Sequence, residues 1–321
     1  MTNQLAIGVD LGATKIAAAL IDDRGQVIDT RSVMTNALDG SEAVLDRIAA
    51  QVGTLIEAAP SAVEGIGVGS PGQVDPIHGV VRDAVNLGWS EVQVVTGLRR
   101  RLKVDRPIWL QKDTNAGALG EYFFGAARGC NNFVYLTIGS GLGAGVIANG
   151  RLIDGANYSA SELGHWSLEP ISGYTCTCGL KGCAETVVSG RGLMAVTRDL
   201  MSSQKYRSGL KDRSELTTAD ILDAARSGDD LAQAAIDQVA QWLGRVLAAC
   251  VGVLNPARFV LGGGLGLAAF DLLVPGAQRE LQQRVLAKGY QQLSIVRSQL
   301  TSSAIGAACL VWSQQPPTMM E

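Results

Sequence analysis

Four side chains that can bind a metal ion lie close together in the sequence. His165 is followed by Cys176, Cys178 and Cys183, so the whole set spans nineteen residues. Three thiolates and one imidazole form the ligand set of many closed, tetrahedral zinc sites. The pattern therefore predicts a structural zinc site, with a disulfide or an ordinary core histidine as the alternatives.

Two glutamates flank these four residues. Glu162 precedes His165 by three residues, and Glu185 follows Cys183 by two. An imidazole that binds zinc through one nitrogen keeps the other as a hydrogen-bond donor, and together with carboxylates it suits the hydroxyl groups of a sugar. Solvated surface positions are the alternative for the glutamates, but their glycine and cysteine neighbours argue against it.

Glycine-rich turns follow apolar, strand-like runs at several places. The turn Asp10–Lys15 offers backbone N–H groups, a hydroxyl and an ammonium to phosphate oxygens, and a carboxylate to Mg²⁺. The glycine-rich runs Gly139–Gly145 and Gly262–Gly264 leave further stretches of backbone without side chains, so that a ligand can approach the backbone closely. A nucleotide is large enough to contact all three turns, although the first turn could also be a simple tight hairpin.

Asp113 lies between a predicted strand, Ile108–Gln111, and a predicted helix that begins at Asn115. A carboxylate at that place can cap the helix. It can also accept the proton of a hydroxyl group that attacks a γ-phosphoryl group. The residue types leave both roles open.

The composition favours a globular protein of two domains. The chain has 321 residues, of which 47% are hydrophobic and 18% charged, and its formal net charge is −3. Such a charge provides no basic face for nucleic acid, and no apolar stretch is long enough for a membrane span. Because the sequence shows no export signal, we expect a cytoplasmic protein.

Hydrophobic periodicity predicts two α/β lobes, opened by three antiparallel strands. The predicted strands are Leu5–Asp10, Ile16–Ile21, Gln26–Val33, Gly65–Gly69, Ile108–Gln111, Phe133–Ile138, Ala144–Ala148, Arg258–Leu261 and Leu293–Val296. The predicted helices are Ser41–Ala59, Asn115–Ala127, Asp230–Leu254, Ala268–Leu286 and Ser302–Trp312. We expect an N-terminal lobe over 1–117, a C-terminal lobe with the zinc site over 118–300, a helix at 301–314 that packs back on the first lobe, and a disordered tail at 315–321.

Together these segments resemble the ROK family of bacterial sugar kinases and sugar-responsive repressors, within the actin/hexokinase-like ATPase superfamily. The likeness covers nearly the whole chain, from the turn Asp10–Lys15 to Gly262–Gly264. Its most specific part is Glu162–His165 with the three cysteines and Glu185. The resemblance implies a two-lobed actin/hexokinase-like (ribonuclease H-like) α/β fold with a cleft between the lobes.

The resemblance also implies roles for individual residues. Asp113 would be the catalytic base, and the sugar would be bound by Asn86, Glu162, His165 and Glu185. The phosphates of Mg²⁺-ATP would be bound by Asp10, Gly12, Thr14, Lys15, Gly139, Ser140 and Gly141, with Asp10 facing the magnesium ion and with Gly263 and Gly264 beside the adenosine. The cofactors implied are Mg²⁺ and a structural Zn²⁺.

The activity implied is ATP-dependent phosphorylation of a hexose at its 6-hydroxyl, with glucose as the first candidate. A kinase for fructose, mannose or an N-acetylated amino sugar is an alternative, as is a catalytically weak, sugar-binding regulatory protein. By the same likeness we expect a homodimer. Because only four residues precede Leu5, we expect no helix-turn-helix domain of the kind that the repressors carry.

Four residues depart from the pattern of the family. Ala13 replaces a glycine of the first turn, Ser140 replaces a threonine of the second, and Val85 replaces a proline before Asn86. The first two substitutions keep the chemistry. Lys112 stands where an asparagine is common in glucokinase-like members, so it could pair with Asp113 or alter which hydroxyls are recognised.

Overall fold

The computed structural model describes residues 4–167, 174–212 and 215–313. Its strands are β1 (Leu5–Leu11), β2 (Lys15–Asp22), β3 (Val27–Met34), β4 (Val63–Ser70), β5 (Gln73–Asp75), β6 (Val80–Ala84), β7 (Trp89–Val92), β8 (Ile108–Lys112), β9 (Phe133–Ile138), β10 (Leu142–Ala148), β11 (Arg151–Leu152), β12 (Arg258–Gly262) and β13 (Ser294–Arg297). Its α-helices are α1 (Ser41–Ala58), α2 (Val94–Leu102), α3 (Asp113–Phe123), α4 (Gly190–Ser202), α5 (Thr218–Arg226), α6 (Asp230–Leu254), α7 (Gly264–Ala268), α8 (Phe270–Gln282) and α9 (Ser303–Ser313).

The chain divides into two compact units. Unit 1 comprises the described parts of 1–131, 145–160 and 299–321, and unit 2 comprises those of 132–144 and 161–298. The helices α3 and α9 belong wholly to unit 1. The boundary that the sequence predicts after residue 117 would fall inside α3.

The first sheet has the strand order β3-β2-β1-β4-β8. β1, β2 and β3 pair antiparallel, as the sequence predicts, whereas β1, β4 and β8 pair parallel. Asp10 in β1 pairs with Gly69 in β4, and Gly69 pairs with Gln111 in β8. The carboxyl ends of these three strands therefore lie at one edge of the sheet, and that edge carries Asp10 and Asp113.

The two faces of the first sheet are covered by different helices. Ile7 and Val9 lie in a buried cluster with α1 and α2, whereas Ala6 lies in a separate buried cluster with α9. Alternate residues of a strand point to opposite faces, which explains the division. On the α9 side the approach is very close, because a Cβ atom added at Gly8 would lie 1.8 Å from the carbonyl oxygen of Ala304.

The second sheet has the order β11-β10-β9-β12-β13, and β12 pairs parallel with both β9 and β13. The two five-stranded sheets have the same kind of order. In each, three strands that are consecutive in the chain lie side by side, and two strands from later in the chain follow next to the first of them. The small sheet β5-β6-β7 is antiparallel. The molecule therefore has an α/β fold with mixed sheets.

The long helix α6 has the bounds that the sequence predicts. Asp229 caps its first turn by accepting a hydrogen bond from the backbone N–H of Ala232 at 3.0 Å. It ends at Leu254, and the next residue, Asn255, has a left-handed conformation and precedes Pro256. Its buried residues in unit 2 include Leu231, Ala235, Val239, Trp242, Val246 and Cys250.

Several predicted bounds were wrong. The helix predicted at Ala268–Leu286 corresponds to α8, which begins two residues later, at Phe270, and ends four residues earlier, at Gln282. Helix α3 begins at Asp113 instead of Asn115, and it ends at Phe123, where hydrogen-bonded turns begin. The end of the predicted helix at residue 314 and the predicted tail lie outside the described residues.

Candidate active site

The four predicted zinc ligands lie together in unit 2. One ligand atom from each of His165, Cys176, Cys178 and Cys183 lies within 4.8 Å of the other three. His165 Nδ1 is 3.5 Å from Cys176 Sγ, and the Sγ atoms of Cys178 and Cys183 are 3.6 Å apart. In a tetrahedral site with Zn–S bonds of about 2.3 Å, neighbouring ligand atoms are about 3.6–3.8 Å apart. The ligand set and its spacing therefore fit a zinc ion.

A tight chain reversal brings the cysteines together. The backbone N–H of Cys176 donates to the carbonyl of Leu180 at 2.8 Å, and that of Gly179 donates back to Cys176 at 2.9 Å. Gly179 and Gly182 have φ values of 86° and 78°, which glycine adopts without strain. The backbone thus directs the sulfur atoms toward one point.

The pKa values of Cys178 and Cys183 are shifted in opposite directions. Burial raises the pKa of Cys183 to about 12. Burial also acts against the thiolate of Cys178, but hydrogen bonds from the backbone N–H of Leu180 and from neighbouring thiols outweigh it and lower the pKa of Cys178. A bound cation would favour the thiolate form of all three sulfurs.

Glu185, which the resemblance assigns to sugar binding, lies against the second glycine-rich turn. Its Oε2 accepts a hydrogen bond from the backbone N–H of Leu142 at 3.0 Å. A Cβ atom added at Gly141 would lie 2.4 Å from the same oxygen, so the turn has room for this carboxylate only because residue 141 is glycine. The carboxylate can accept further hydrogen bonds, since two oxygens offer about four acceptor sites.

The start of α4 holds the same turn from the other side. The backbone N–H of Gly190 donates to the carbonyl of Gly139 at 2.7 Å. Arg191 donates from Nε to the carbonyl of Ser140 at 2.9 Å and from Nη2 to Glu185 Oε1 at 3.2 Å. The sequence did not identify Arg191. The one signal that could have found it is its place six residues after Glu185.

Two further segments of unit 2 pack on this turn and its strand. A Cβ atom added at Gly164, between Glu162 and His165, would lie 2.1 Å from the carbonyl oxygen of Leu142. A Cβ atom added at Gly263 would lie 2.5 Å from the carbonyl oxygen of Ile138, the last residue of β9. The predicted sugar-binding segment and the third glycine turn therefore both lie beside the second.

Asp10 is the next-to-last residue of β1, the central strand of the first sheet in unit 1. Its Oδ2 accepts a hydrogen bond from the hydroxyl of Ser303, at the start of α9. Burial raises the pKa of Asp10, and the bond from Ser303 offsets only part of that effect. A cation at this carboxylate would reduce the cost of its buried charge, so the residue fits a magnesium ligand.

The turn after Asp10 is a well-bonded hairpin. The backbone N–H of Gly12 donates to Lys15 at 3.0 Å, and the hydroxyl of Thr35 donates to the carbonyl of Gly12 at 2.7 Å. Thr14 and Lys15 are exposed at its tip. The geometry suits both a structural hairpin and a turn that presents a hydroxyl and an ammonium to phosphate.

Asp113 is the first residue of α3, at the same sheet edge as Asp10. Its Oδ1 accepts a hydrogen bond from the backbone N–H of Thr114 at 2.6 Å. Its backbone is close to β4, because a Cβ atom added at Gly69 would lie 3.4 Å from Asp113 Cα. The preceding Lys112 is buried at 7% exposure, which is unusual for lysine.

A buried polar cluster supports the strand that precedes Asp113. Asp154 Oδ1 accepts hydrogen bonds from Gln111 Nε2 at 3.0 Å and from Asn115 Nδ2 at 3.1 Å. Burial raises the pKa of Asp154, and these two bonds act in the opposite direction. The cluster fixes the residues on both sides of Asp113, and sequence reasoning missed Asp154 because nothing local marks it.

Asn86 lies in a short 3-10 turn, Val85–Leu87, between β6 and β7, and its side chain is exposed. Asp75 fastens this small sheet by accepting hydrogen bonds from His78 Nδ1 at 2.8 Å and from Arg82 Nη2 at 2.6 Å. Although burial opposes the charge, these bonds lower the pKa of Asp75. The turn that presents Asn86 thus rests on an anchored sheet.

The predicted site residues fall into two groups, one in each unit. Unit 1 contains Asp10, Gly12, Thr14, Lys15, Asn86 and Asp113. Unit 2 contains Gly139, Ser140, Gly141, Glu162, His165, Cys176, Cys178, Cys183, Glu185, Gly263 and Gly264. Within unit 2 the metal cluster, the two glutamate segments and both glycine turns form one connected neighbourhood.

Comparison with known proteins decides the family. The model of the ROK family matches residues 6–314, nearly the whole chain. The chain belongs to the ROK family. This ROK protein is 33% identical in sequence to a glucokinase of Halalkalibacterium halodurans, over 86% of this chain and 84% of that protein. It is 29% identical to a xylose repressor of Caldicellulosiruptor bescii, over 95% of this chain and 76% of the repressor.

A solved ROK structure has the same fold. The ROK family glucokinase of Streptomyces griseus, in complex with glucose and AMPPNP, superposes with a TM-score of 0.80 at 30% identity, covering 95% of this chain and 98% of that one. The described part of our ROK chain contains no helix that is both long and apolar enough to cross a membrane.

Proposed function

We propose that this ROK protein is an ATP-dependent sugar kinase that phosphorylates a hexose at its 6-hydroxyl, with glucose as the first candidate. The observation that supports it most is the contact between Glu185 and the Gly139–Leu142 turn. It joins a predicted sugar-binding carboxylate to a predicted phosphate-binding turn. The similarity to glucokinases supports the same activity.

In this proposal Asn86, Glu162, His165 and Glu185 bind the hydroxyls of the sugar. Asp113 accepts the proton of the 6-hydroxyl as its oxygen attacks the γ-phosphorus, and the bond from that phosphorus to the bridging oxygen of ADP breaks. The sugar phosphate and ADP are the products. The bond from Thr114 N–H holds the Asp113 carboxylate in one orientation for this step.

The nucleotide would be bound mainly by backbone groups. The turn of Gly12, Thr14 and Lys15 and the turn Gly139–Gly141 would bind phosphate oxygens, and Gly263 and Gly264 would lie beside the adenosine. Asp10 would hold Mg²⁺, which neutralises charge on the phosphates when it is bound. His165 and the three cysteines would hold a zinc ion whose role is to fix Glu162 and Glu185 in place.

A coupled assay of ADP release tests the proposal. The purified protein is incubated with Mg²⁺-ATP and a panel of glucose, fructose, mannose and N-acetylated amino sugars, and the product is analysed for the phosphorylated hydroxyl. We expect sugar-dependent ADP release, fastest with glucose, and a 6-phosphate. ADP release that does not depend on any sugar of the panel would contradict the proposal.

A second candidate is a sugar-binding regulatory protein with weak catalysis. Lys112 favours it, because this buried residue directly precedes the proposed base and a cation near a base weakens proton acceptance. The similarity to a xylose repressor points the same way. Sugar binding by calorimetry without ADP release would favour this candidate, whereas turnover at ordinary kinase rates would exclude it.

A further inference from the structure

Arg191 lies on the surface, yet its side chain makes two specific hydrogen bonds. Its side chain is 58% exposed, yet two of its nitrogens are bonded within the same small region. Nε donates to the backbone carbonyl of Ser140, and Nη2 donates to the carboxylate of Glu185. The planar guanidinium therefore bridges the middle of a glycine-rich turn and an acidic side chain from another segment.

These bonds complete a closed ring around the turn. Glu185 accepts from Arg191 on Oε1 and from Leu142 N–H on Oε2, so both of its oxygens are fixed. The bond from Gly190 N–H to Gly139 secures the first residue of the turn. The hydroxyl of Ser189 donates to the Glu185 carbonyl at 2.7 Å and caps α4 through Gly192 N–H at 3.0 Å.

We propose that Arg191 is a positioning residue, which holds the Gly139–Leu142 turn in its nucleotide-binding conformation by clamping the Ser140 carbonyl to Glu185. The inference rests on the proposed function, because it takes this turn to bind the phosphates of ATP. Arg191 itself acts through the turn. It sets which way the peptide groups of the turn face, and thereby where their N–H groups point.

Loss of the Arg191 clamp should make the Gly139–Leu142 turn more flexible and thereby weaken nucleotide binding. Glycine gives the turn many alternative conformations, and a ligand that binds a flexible turn must bear the entropic cost of ordering it. Hydrogen bonds of charged groups at partly exposed places are modest in strength. We therefore expect the affinity for nucleotide to fall by about 3- to 30-fold, a range that corresponds to such bonds.

The test compares three variants of the full chain. Arg191→Ala removes the clamp, and Arg191→Lys keeps the charge but replaces the planar fork with a single ammonium. Arg198→Ala is the control, because Arg198 is exposed on the same helix and its removal changes the net charge equally. The dissociation constant of a non-hydrolysable ATP analogue with Mg²⁺ is measured by calorimetry without sugar, and the dissociation constant of glucose is measured separately.

We expect the weakest nucleotide binding for Arg191→Ala, an intermediate value for Arg191→Lys, and an unchanged value for Arg198→Ala. The glucose affinity should change by a smaller factor than the nucleotide affinity. Amide hydrogen exchange should accelerate at residues 139–143 in Arg191→Ala, while the melting temperature stays within a few degrees of wild type. This local signal separates a positioning role from general destabilisation.

Three results would overturn the inference. They are unchanged nucleotide affinity in Arg191→Ala, a loss confined to glucose affinity, and equal losses in the Arg191 and Arg198 variants. If the wild-type chain binds the analogue but phosphorylates no sugar, the proposed function fails while the comparison of variants still decides the role of Arg191. If the wild-type chain binds no nucleotide, both proposals are refuted.

Discussion

Gly141→Ala should disrupt the contact between the glycine turn and Glu185. The added Cβ atom would lie 2.4 Å from Glu185 Oε2 and 3.1 Å from Cδ. An ordinary contact is about 3.5–4.0 Å, so the carboxylate would have to move by about 1 Å or more. That movement would break its bond with Leu142 N–H and strain its bond with Arg191.

The size of the effect follows from these bonds. A hydrogen bond to a charged group contributes about 1.5–3 kcal/mol, and the Glu185 side chain is only 14% exposed, so water replaces the lost bond poorly. Replacing glycine by alanine also stabilises the folded state by about 0.4–1 kcal/mol, because it reduces the conformational entropy of the unfolded chain. The net loss is about 0.5–2.6 kcal/mol, which lowers the melting temperature of a unit this size by about 1–10 °C.

Gly139→Ala is the matched control. It lies in the same turn, yet a Cβ atom added there meets no atom of the described residues within 4 Å. Differential scanning calorimetry of the two variants should show lower stability for Gly141→Ala alone. Titration with an ATP analogue then reports how each Cβ atom affects nucleotide binding. Equal melting temperatures for the two variants would refute the role that we assign to the Glu185 contact.

The remaining predictions concern the proposed base, the metal cluster and Lys112. Asp113→Ala should lower sugar-dependent ADP release by about 10²–10⁴-fold while sparing sugar affinity in calorimetry, and retained activity would remove the assigned base. Cys178→Ser should lower the zinc content found by elemental analysis and should weaken sugar binding; unchanged metal content would refute the ligand set. Because Glu185 contacts the glycine turn, the same variant should also weaken nucleotide binding. Lys112→Asn should alter the preference among sugars in the coupled assay, and an identical profile would show that Lys112 plays no part in substrate recognition.

The sequence predicts best those features that depend on a local pattern. Helix α6 has its predicted bounds because an apolar stripe, a capping aspartate and an Asn-Pro stop all agree. The cluster of possible metal ligands was predictable because three cysteines and a histidine at this spacing have few other joint uses. The three antiparallel strands at the start follow from short apolar runs with a clear turn between them.

Features that depend on tertiary contacts were not predictable. The strands β5 to β7 are short, and the anchor of this sheet at Asp75 requires His78 and Arg82 in the folded state. Asp154 acquires its role only when β8 and α3 bring Gln111 and Asn115 to it. The helix predicted at 268–286 overran α8 at both ends, because apolar spacing does not show where a helix gives way to a hydrogen-bonded turn, as it does at Gln283 and Arg284.

The seating of α9 on the first sheet bears on how the chain folds during synthesis. Gly8 of β1 contacts the backbone of Ala304 in α9, so β1 cannot form this contact until α9 has been synthesised, almost 300 residues later. At ribosomal speeds of about 5–20 residues per second, that interval is about 15–60 s. During this time the apolar face around Ala6 and Ala19 lacks its cover, and transiently exposed apolar surface of this kind promotes association between chains.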